Sequence, residues 1–187
     1  MEDVVSMAVK GRATIVQLRN KSGERDVIKA QACAIQKVLQ GTNIPFILND
    51  HVELAAEIGA DGVHIGQDDI SVQSARAIIG KDKILGLTAF TAAHFTALDP
   101  AIVDYAGTGP FYATKTKPDK PVLGADGFSV LVKQSPVPVV GIGGITPENQ
   151  YAVLAAGAKG VAMMRSISEA DDPRAATQAF IKLRTAV

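Results

Sequence analysis

The sequence has one cysteine, no net charge and no long apolar run, and each scarcity excludes a class of protein. A single cysteine, Cys33, cannot form an internal disulfide, so we expect a reducing, cytoplasmic location. Nineteen Lys and Arg balance nineteen Asp and Glu, so no global positive field favours nucleic acid. No apolar run approaches the roughly 20 residues that span a bilayer, and we predict neither a signal peptide nor membrane attachment.

Short apolar runs alternate with amphipathic segments along the chain, at intervals of roughly 20 to 25 residues. No linker or low-complexity segment interrupts them, so we predict one domain over residues 1–187, with a sizeable core. The pattern predicts strands followed by helices, and therefore a parallel sheet. The predicted strands are 15–18, 45–48, 63–65, 84–87, 103–106, 137–142 and 161–164. The predicted helices are 2–10, 26–40, 52–58, 71–79, 91–98, 128–134, 146–156 and 172–184.

Two segments of the chain repeat each other, IGADGVHI at 58–65 and AGAKGVAM at 156–163. Both are typical of a helix that ends in glycine and turns directly into a buried strand. Repeated units favour a (β/α)8 TIM-type barrel over a doubly wound sheet, which carries one glycine fingerprint near its start. Only seven strands are predicted and a helix comes first, so we expect a barrel that lacks its first strand in this chain, through truncation or an opening there.

The two strands predicted between residues 44 and 69 end in acidic residues, Asp50 and Asp69. Parallel strands present their carboxyl ends at one edge, where α/β folds bind ligands. Two carboxylates held close together repel, and a hard cation that also binds phosphate oxygens would relieve that repulsion. The pattern predicts a metal site, with solvated loop acids or helix N-caps as the open alternative.

Basic residues follow the first predicted strand. Gln17, Arg19 and Lys21 alternate along the chain, so they share one face at the point where the strand ends. Arg and Lys that point into one cleft favour a pyrophosphate ligand. A solvated loop is the alternative, which the apolar run directly before these residues disfavours.

Two further strand ends carry polar or glycine-rich loops. After the strand at 103–106, Thr114, Thr116 and Lys117 offer hydroxyls and a charge to phosphate oxygens, although such loops are more often merely exposed. After the strand at 137–142, glycines between Gly141 and Thr146 leave backbone amides open to an anion, at a predicted helix N-terminus. A tight turn is the alternative for this glycine cluster.

Together these motifs resemble those of the thiamine phosphate synthases, the thiamine-phosphate pyrophosphorylase family. The matching segments follow in order over nearly the whole chain: VQLRNK (16–21), ND (49–50), DGVHIGQDD (61–69), GP (109–110), TKTK (114–117) and GIGGIT (141–146). The family fold is a (β/α)8 barrel whose first strand precedes its first helix. The resemblance therefore also implies that a strand is missing here.

The resemblance implies substrate-binding residues that share the carboxyl ends of the predicted strands. They are Gln17, Leu18, Arg19, Asn20, Lys21, Asn49, Thr88, Thr114, Lys115, Thr116, Lys117, Gly144, Met164 and Arg165. The resemblance implies that an aminopyrimidine diphosphate is held by Gln17, Arg19, Lys21, Asn49, Thr88 and Lys117. It implies that a thiazole phosphate is held by Thr114, Thr116, the Gly144 amide and the Met164-Arg165 segment. Arg19, Lys21 and Lys117 would be catalytic.

The same resemblance implies that Asp50 and Asp69 bind Mg2+ on the diphosphate. The implied enzyme is a transferase that joins hydroxymethylpyrimidine diphosphate to hydroxyethylthiazole phosphate, releasing pyrophosphate through a dissociated pyrimidine cation. Such a reaction needs charge stabilisation and alignment of two substrates, and no Ser-His or Cys-His pair is apparent in the sequence. His51, His64 and His94 are interpreted as structural or exposed. We expect small-molecule substrates as partners, and a homo-oligomer is compatible with the sequence.

Three residues depart from the family pattern: Thr88 stands where serine is usual, Phe90 where many members have histidine, and Arg165 where serine is common. Two alternatives remain, a thiazole tautomer isomerase of the same barrel family and a non-catalytic barrel that binds a phosphorylated ligand. The isomerase would not need Arg19 or the acidic pair, and Phe90 replaces the histidine expected of it. Both observations favour the synthase.

Overall fold

The computed structural model describes residues 1–114 and 121–184, with side chains as far as residue 181. The strands are β1 Val16–Leu18, β2 Phe46–Asn49, β3 Gly62–Ile65, β4 Ile84–Thr88, β5 Tyr105–Thr108, β6 Val139–Ile142 and β7 Gly160–Ala162. The helices are α1 Glu2–Lys10, α2 Arg25–Leu39, α3 Val52–Glu57, α4 Val72–Ile79, α5 Ala92–Thr96, α6 Gly124–Val132, α7 Gln150–Ala155, α8 Arg165–Ser168 and α9 Pro173–Arg184. The predicted site residues Lys115, Thr116 and Lys117 lie outside the described residues.

The apolar periodicity predicts most of these elements correctly. One face of α2 is buried at the predicted spacing, through Ile28, Ala32, Ile35 and Leu39. The side chain of Ser71 caps α4 by accepting a hydrogen bond from the Ser74 N–H. No helix in the described part of the chain combines the length and apolar character needed to cross a bilayer.

Three helical predictions were inaccurate. α7 begins at Gln150 rather than Thr146, because the side chain of Asn149 closes the preceding turn. Its Oδ1 accepts from the Thr146 N–H at 2.8 Å, and its Nδ2 donates to the Gly144 carbonyl at 3.0 Å. α6 starts earlier than predicted, and the four residues of α8 are too few to show a helical period in the sequence.

All seven strands form one parallel sheet in which they follow the order of the chain. With right-handed crossovers, this order places the helices on one face, as in a barrel, whereas a doubly wound sheet reverses its order. The predicted parallel β/α architecture is thus confirmed. The complete eight-stranded barrel is not, because the described residues contain seven strands.

A contact across the sheet shows that it curls. The side chain of Gln17 on β1 lies close enough to the hydroxyl of Tyr105 on β5 to lower the pKa of that phenol, against the larger effect of burial. In a flat sheet these strands would lie about 19 Å apart, four spacings of about 4.8 Å, beyond the combined reach of the two side chains. The helix layer bridges the gap between β1 and β7, since α1 packs against both α2 and α9.

The two faces of the curled sheet carry different side chains. On the outer face, apolar residues that are at most 1% exposed pack against the helices, including Phe46, Leu48, Val63, Ile65 and Leu85. Because side chains alternate along a strand, the intervening residues face the concave side. Several of these are small or polar, such as Asn49, His64, Gly86 and Tyr105. The main core therefore lies between sheet and helices, which leaves the concave face available for a polar site.

Replacement of a buried isoleucine should test this layered core. Ile28→Ala removes a side chain that is 0% exposed, and we expect the free energy of unfolding to fall by about 2–5 kcal/mol. Ile78→Ala is the matched control, because Ile78 also lies in a helix but is 40% exposed. It should change stability by less than about 1 kcal/mol. Urea denaturation measures both, and equal losses would contradict the described packing.

Candidate active site

The carboxyl end of β2 places a buried amide and a carboxylate at the rim of the sheet. Asn49 is 6% exposed, and its Nδ2 has no hydrogen-bond partner among the described residues. Asp50 follows with φ of 69°, a left-handed conformation that Asp tolerates better than most residues other than glycine. Its Oδ2 lies 2.9 Å from the Nζ of Lys21. A buried donor without a partner costs stability, and a bound ligand is one reason for keeping it.

β1 ends at the same rim and brings predicted phosphate ligands beside β2. Lys21 pairs with Asp50, and Arg19 is exposed directly after the strand. Gln17 reaches instead across the concave face to Tyr105. Leu18 is 5% exposed within the helix-side core, so only its backbone is available for the substrate contact predicted for it.

The side chain of Asn20, which is predicted to contact the substrate, hydrogen-bonds to neighbouring groups of the protein. Its Nδ2 donates to Oε1 of Gln31 at 3.1 Å, and its Oδ1 accepts from the Gly23 N–H at 3.0 Å. Its carbonyl oxygen lies 2.9 Å from Nε2 of His51. Asn20 therefore orders the loop between β1 and α2, and His51 has the structural role expected from the sequence.

Asp69 follows β3, the neighbour of β2. Its Oδ2 accepts a hydrogen bond from the Gly66 N–H at 2.6 Å, which holds the carboxylate at the tip of the strand. Because β2 and β3 are parallel, Asp50 and Asp69 follow the same edge of the sheet, as predicted. No group of three or more His, Cys, Asp or Glu side chains among the described residues could hold a metal alone. Two carboxylates nevertheless suit Mg2+, which often completes its coordination with phosphate oxygens and water.

Below the rim, a row of register-paired residues crosses the concave face. Asn49 is paired with His64, His64 with Gly86, and Gly86 with Tyr105. Because Gly86 has no side chain, His64 and Tyr105 meet over it, with Nδ1 2.9 Å from the phenol oxygen. A Cβ at position 86 would lie 2.5 Å from Nδ1 of His64. Glycine is therefore required here for the close approach of the two rings.

His64 also contacts Thr88, a predicted substrate residue, with Nε2 3.0 Å from Oγ1. The side chain of Gln67 donates to the Thr88 carbonyl and fixes the end of β4. Burial raises the pKa of Tyr105, while the hydrogen bond from Gln17 acts in the opposite direction. The net shift is upward, so the phenol is protonated at neutral pH. His64 is half-buried, and its two ring nitrogens contact the hydroxyl groups of Tyr105 and Thr88. Of these two partners, Thr88 is a predicted site residue.

On the other side of the rim, the loop after β5 pairs with the turn after β6. The N–H groups of Phe111 and Tyr112 donate to the carbonyls of Ile142 and Gly143, at 2.9 and 3.0 Å. This pairing brings the loop that carries Thr114 alongside the glycine turn. Two segments predicted to bind one phosphate are thereby adjacent.

The glycine turn itself has a structural reason. Gly143 and Gly144 have φ of 102° and 65°, and a Cβ on Gly144 would lie 2.5 Å from the carbonyl oxygen of Ala113. The tight-turn interpretation therefore accounts for these glycines. The predicted helix N-terminus at this turn was wrong, because α7 begins only at Gln150.

The end of β7 carries the last predicted residues. Met164 is 46% exposed and precedes α8. The Nε of Arg165 lies 2.8 Å from Oε1 of Glu169, the residue that directly follows α8. Ser166 donates from its hydroxyl to the Ile145 carbonyl at 3.0 Å, which ties α8 to the glycine turn. The exposed guanidinium of Arg165 is thus already paired with a neighbouring carboxylate.

Tyr105 and Ser166 are residues of this region that the motifs do not reveal. Tyr105 opens an otherwise small-residue strand, and Ser166 follows the last predicted strand by two positions. The sequence holds one signal for Tyr105. Because side chains alternate along a strand, Tyr105 lies on the same face of β5 as Gly107. For Ser166 the sequence holds no comparable signal.

A separate cavity of about 890 Å3 opens at the amino ends of β2 and β4, lined by Cys33, Lys37 and Lys83 among others. Asp61 in its wall accepts a hydrogen bond from the Phe46 N–H at 2.8 Å and so has a structural role. None of the predicted site residues that the structure describes lines this cavity. It lies at the opposite end of the strands from the rim.

Comparisons with known proteins agree with this geometry. The chain is 44% identical over 184 residues to a thiamine-phosphate synthase of Bacillus velezensis, an alignment that covers 95% of this chain and 81% of the relative. It is 40% identical over 186 residues to a thiamine-phosphate synthase of Azorhizobium caulinodans, covering 99% of this chain and 86% of that one. A solved thiamine phosphate pyrophosphorylase of Pyrococcus furiosus superposes with a TM-score of 0.88 at 28% identity, over 97% of this chain and 88% of that one.

The family model described as thiamine monophosphate synthase matches residues 1–167. That range includes β1 to β7 and all the rim residues considered above. The chain therefore belongs to the thiamine monophosphate synthase family.

Proposed function

We propose that this protein catalyses the condensation of hydroxymethylpyrimidine diphosphate with hydroxyethylthiazole phosphate to form thiamine phosphate and pyrophosphate. The observation that carries the proposal is the buried amide of Asn49, whose Nδ2 has no partner among the described residues. It lies at a rim where Lys21 contacts Asp50 and where the exposed Arg19 directly follows β1. A diphosphate offers the acceptor oxygens that such a set of donors requires.

The leaving pyrophosphate would interact with the ends of β1 and β2. Arg19 and Lys21 contribute positive charge, and Asn49 contributes a hydrogen-bond donor. The bond that breaks joins the pyrimidine methylene carbon to a diphosphate oxygen, and the electron pair leaves with pyrophosphate. Since negative charge develops on that oxygen, preorganised donors lower the barrier without a nucleophile or a general base. The resulting pyrimidine cation is then captured by the thiazole nitrogen.

Mg2+ belongs to this proposal as a cofactor. Asp50 and Asp69 lie at one edge and would supply the hard oxygen ligands that this ion prefers. When bound, the ion would reduce the negative charge of the diphosphate. Lys21 already contacts Asp50, so the carboxylate is held at the rim in the described structure.

The thiazole phosphate would interact with the opposite side of the rim. Thr114 and Gly144 lie on the loop and the turn that pair after β5 and β6. The hydroxyl of Ser166 bonds to the same turn. Met164 and Arg165 directly precede Ser166 in the sequence, so we expect them to lie on this side of the rim. Roles for Lys115, Thr116 and Lys117 follow from the resemblance alone.

A cytoplasmic location and a homo-oligomeric state also stay predictions. The first rests on the single cysteine and the second on nothing more than compatibility. Neither is needed for the proposed reaction, because all described rim residues come from one chain.

An assay with both substrates tests the proposed function. The protein should release pyrophosphate and form thiamine phosphate only when pyrimidine diphosphate, thiazole phosphate and Mg2+ are all present. Conversion of a thiazole tautomer without pyrophosphate release would indicate the isomerase. Binding of phosphorylated ligands without turnover would indicate a non-catalytic barrel.

Asp69→Asn should weaken metal-dependent turnover. The amide retains an acceptor for the Gly66 N–H but loses the charge that would bind Mg2+, so we expect kcat/KM at limiting Mg2+ to fall by about 100-fold or more. Asp82→Asn removes the same charge from an exposed site before β4, at the other end of the strands, and should leave turnover within about 3-fold of wild type. Equal turnover in the two variants at every Mg2+ concentration would exclude a metal role for Asp69.

Asn49→Leu should separate activity from stability. The variant removes a buried donor that has no partner, so the free energy of unfolding without ligand should stay within about 1 kcal/mol of wild type or rise. The affinity for pyrophosphate with Mg2+ should fall by about 10-fold or more, because one hydrogen bond to a charged group is lost. Calorimetric titration and urea denaturation measure the two quantities. A large loss of stability with unchanged affinity would show that Asn49 is structural.

A further inference from the structure

The chain turns sharply where β2 ends, through two successive hydrogen-bonded turns of three residues each. The His51 N–H donates to the Asn49 carbonyl at 2.9 Å, with Asp50 between them at φ of 69°. The Val52 N–H donates to the Asp50 carbonyl at 3.0 Å, with His51 between them at φ of −83° and ψ of 73°. The second is the common inverse γ-turn, whereas the first has the positive φ of the rare and strained γ-turn. A strained backbone persists where the surrounding structure holds it in place.

The side chain of His51 supplies one of the contacts that hold this double turn. His51 directly precedes α3, yet within the described part of the chain its ring contacts the loop after β1 instead of capping the helix. Its Nε2 lies 2.9 Å from the carbonyl oxygen of Asn20 in that loop. A carbonyl oxygen only accepts hydrogen bonds, so Nε2 is the donor whether the ring is neutral or protonated. The direction of this hydrogen bond therefore follows from the geometry and the chemistry of the acceptor.

The ends of β1 and β2 are thus joined by two contacts between consecutive residues. The Nζ of Lys21 lies 2.9 Å from Oδ2 of Asp50, and His51 donates to the Asn20 carbonyl. Under the proposed function, Lys21 binds the diphosphate and Asp50 binds its cation. A bound ligand would therefore compete with the ion pair, but it would leave the hydrogen bond from His51 intact.

The residue that accepts this hydrogen bond is itself anchored. Oδ1 of Asn20 accepts from the Gly23 N–H at 3.0 Å, and its Nδ2 donates to Oε1 of Gln31 on α2 at 3.1 Å. Asn20 lies between Arg19 and Lys21 in the sequence. The position of its backbone therefore sets the path of the chain at both cations.

We propose that His51 is a positioning residue for the diphosphate and its cation. It holds the double turn that presents the Asp50 carboxylate and the loop that carries the two cations, including after a ligand has drawn Lys21 away from Asp50. The proposal rests on the proposed function for the identity of the ligand. It adds a residue outside the predicted site residues, which acts through Asn20 and Asp50 and does not itself touch the substrate.

A comparable hydrogen bond at the other end of α3 provides a matched control. Nε2 of Gln36 donates to the Ile58 carbonyl at 3.1 Å. Like the bond from His51, it joins a partly buried side chain to a backbone carbonyl of a distant segment. His51 directly precedes α3 and Ile58 directly follows it. If both bonds only stabilised the fold, their loss would affect ligand binding equally.

Pyrophosphate with Mg2+ is the probe for the first test, and calorimetric titration measures its Kd. His51→Asn shortens the side chain so that it no longer reaches the Asn20 carbonyl, while asparagine is a favoured residue directly before a helix. We expect Kd to rise by about 10-fold or more, as when other residues that orient ligating groups are lost. His51→Gln retains an N–H near the Nε2 position, so it should restore Kd to within about 3-fold of wild type, and Gln36→Leu should stay within the same range.

Hydrogen exchange at the Gly23 amide gives a second test, which needs no ligand. This N–H donates to Oδ1 of Asn20, so its exchange rate reports how firmly the loop after β1 is held. We expect exchange to be at least about 5-fold faster in His51→Asn than in wild type, because one hydrogen bond that holds the loop is lost. Gln36→Leu should exchange at the wild-type rate.

The outcomes separate the proposed function from the role of His51. If wild type binds pyrophosphate with Mg2+ and His51→Asn keeps the wild-type Kd, the positioning role is wrong while the proposed function stands. An equal rise of Kd in His51→Asn and Gln36→Leu would also overturn the role, because it would be an effect of stability alone. If wild type binds no pyrophosphate, the proposed function fails and Gly23 exchange decides. Equal rates in the three proteins would then overturn the inference, and faster exchange in His51→Asn alone would support the link between the strand ends.

Discussion

The parallel register of the seven strands is the constraint on which the rest of this structure depends. Each strand begins at one end of the curled sheet and finishes at the other, so residues far apart in sequence share one rim. The pairing of Asn49, His64, Gly86 and Tyr105 follows from that register alone. A shift of one residue in β4 would turn Gly86 away and replace it with a leucine, which the space between the two rings does not admit.

The layered core allows the rim to contain features that reduce stability. The apolar residues of the sheet pack against the helices, and their burial does not involve the concave face. That face can then hold an amide donor without a partner at Asn49 and a left-handed backbone at Asp50. Each costs of order 1–3 kcal/mol. The apolar core on the helix side therefore supplies the stability that offsets these costs.

Two opposite charges at the rim, those of Lys21 and Asp50, already compensate each other within the protein. Lys21 and Asp50 contact each other at 2.9 Å, which limits the electrostatic cost of holding both near a buried strand end. A diphosphate with its cation would offer each of them a second partner of opposite charge. The same residues can therefore be stable without substrate and complementary to it when it binds.

The local elements and the family could be predicted from the chain, because helices, strands and turns depend on periodicity and on residues close in sequence. The apolar face of α2, the Ser71 cap and the order of the strands are of this kind. So is the position of Asp50 and Asp69 at one edge, which parallel strands require. The Asn149 turn before α7 was missed, because its side-chain bonds override the usual Thr-Pro helix start.

Side-chain partners across the sheet depend on tertiary structure, because no local pattern records which residues meet over a concave surface. His64 is an ordinary strand histidine in the sequence, and its pairing with Tyr105 and Thr88 arises only when the sheet curls around Gly86. In the same way, the hydrogen bonds of the Asn20 side chain and the packing of Leu18 in the core follow from the folded structure. The sequence alone does not predict either contact. The sequence determines which groups reach the rim, since that follows from strand direction and length. Which of them contact one another depends on the curvature of the folded sheet, a property of all seven strands together.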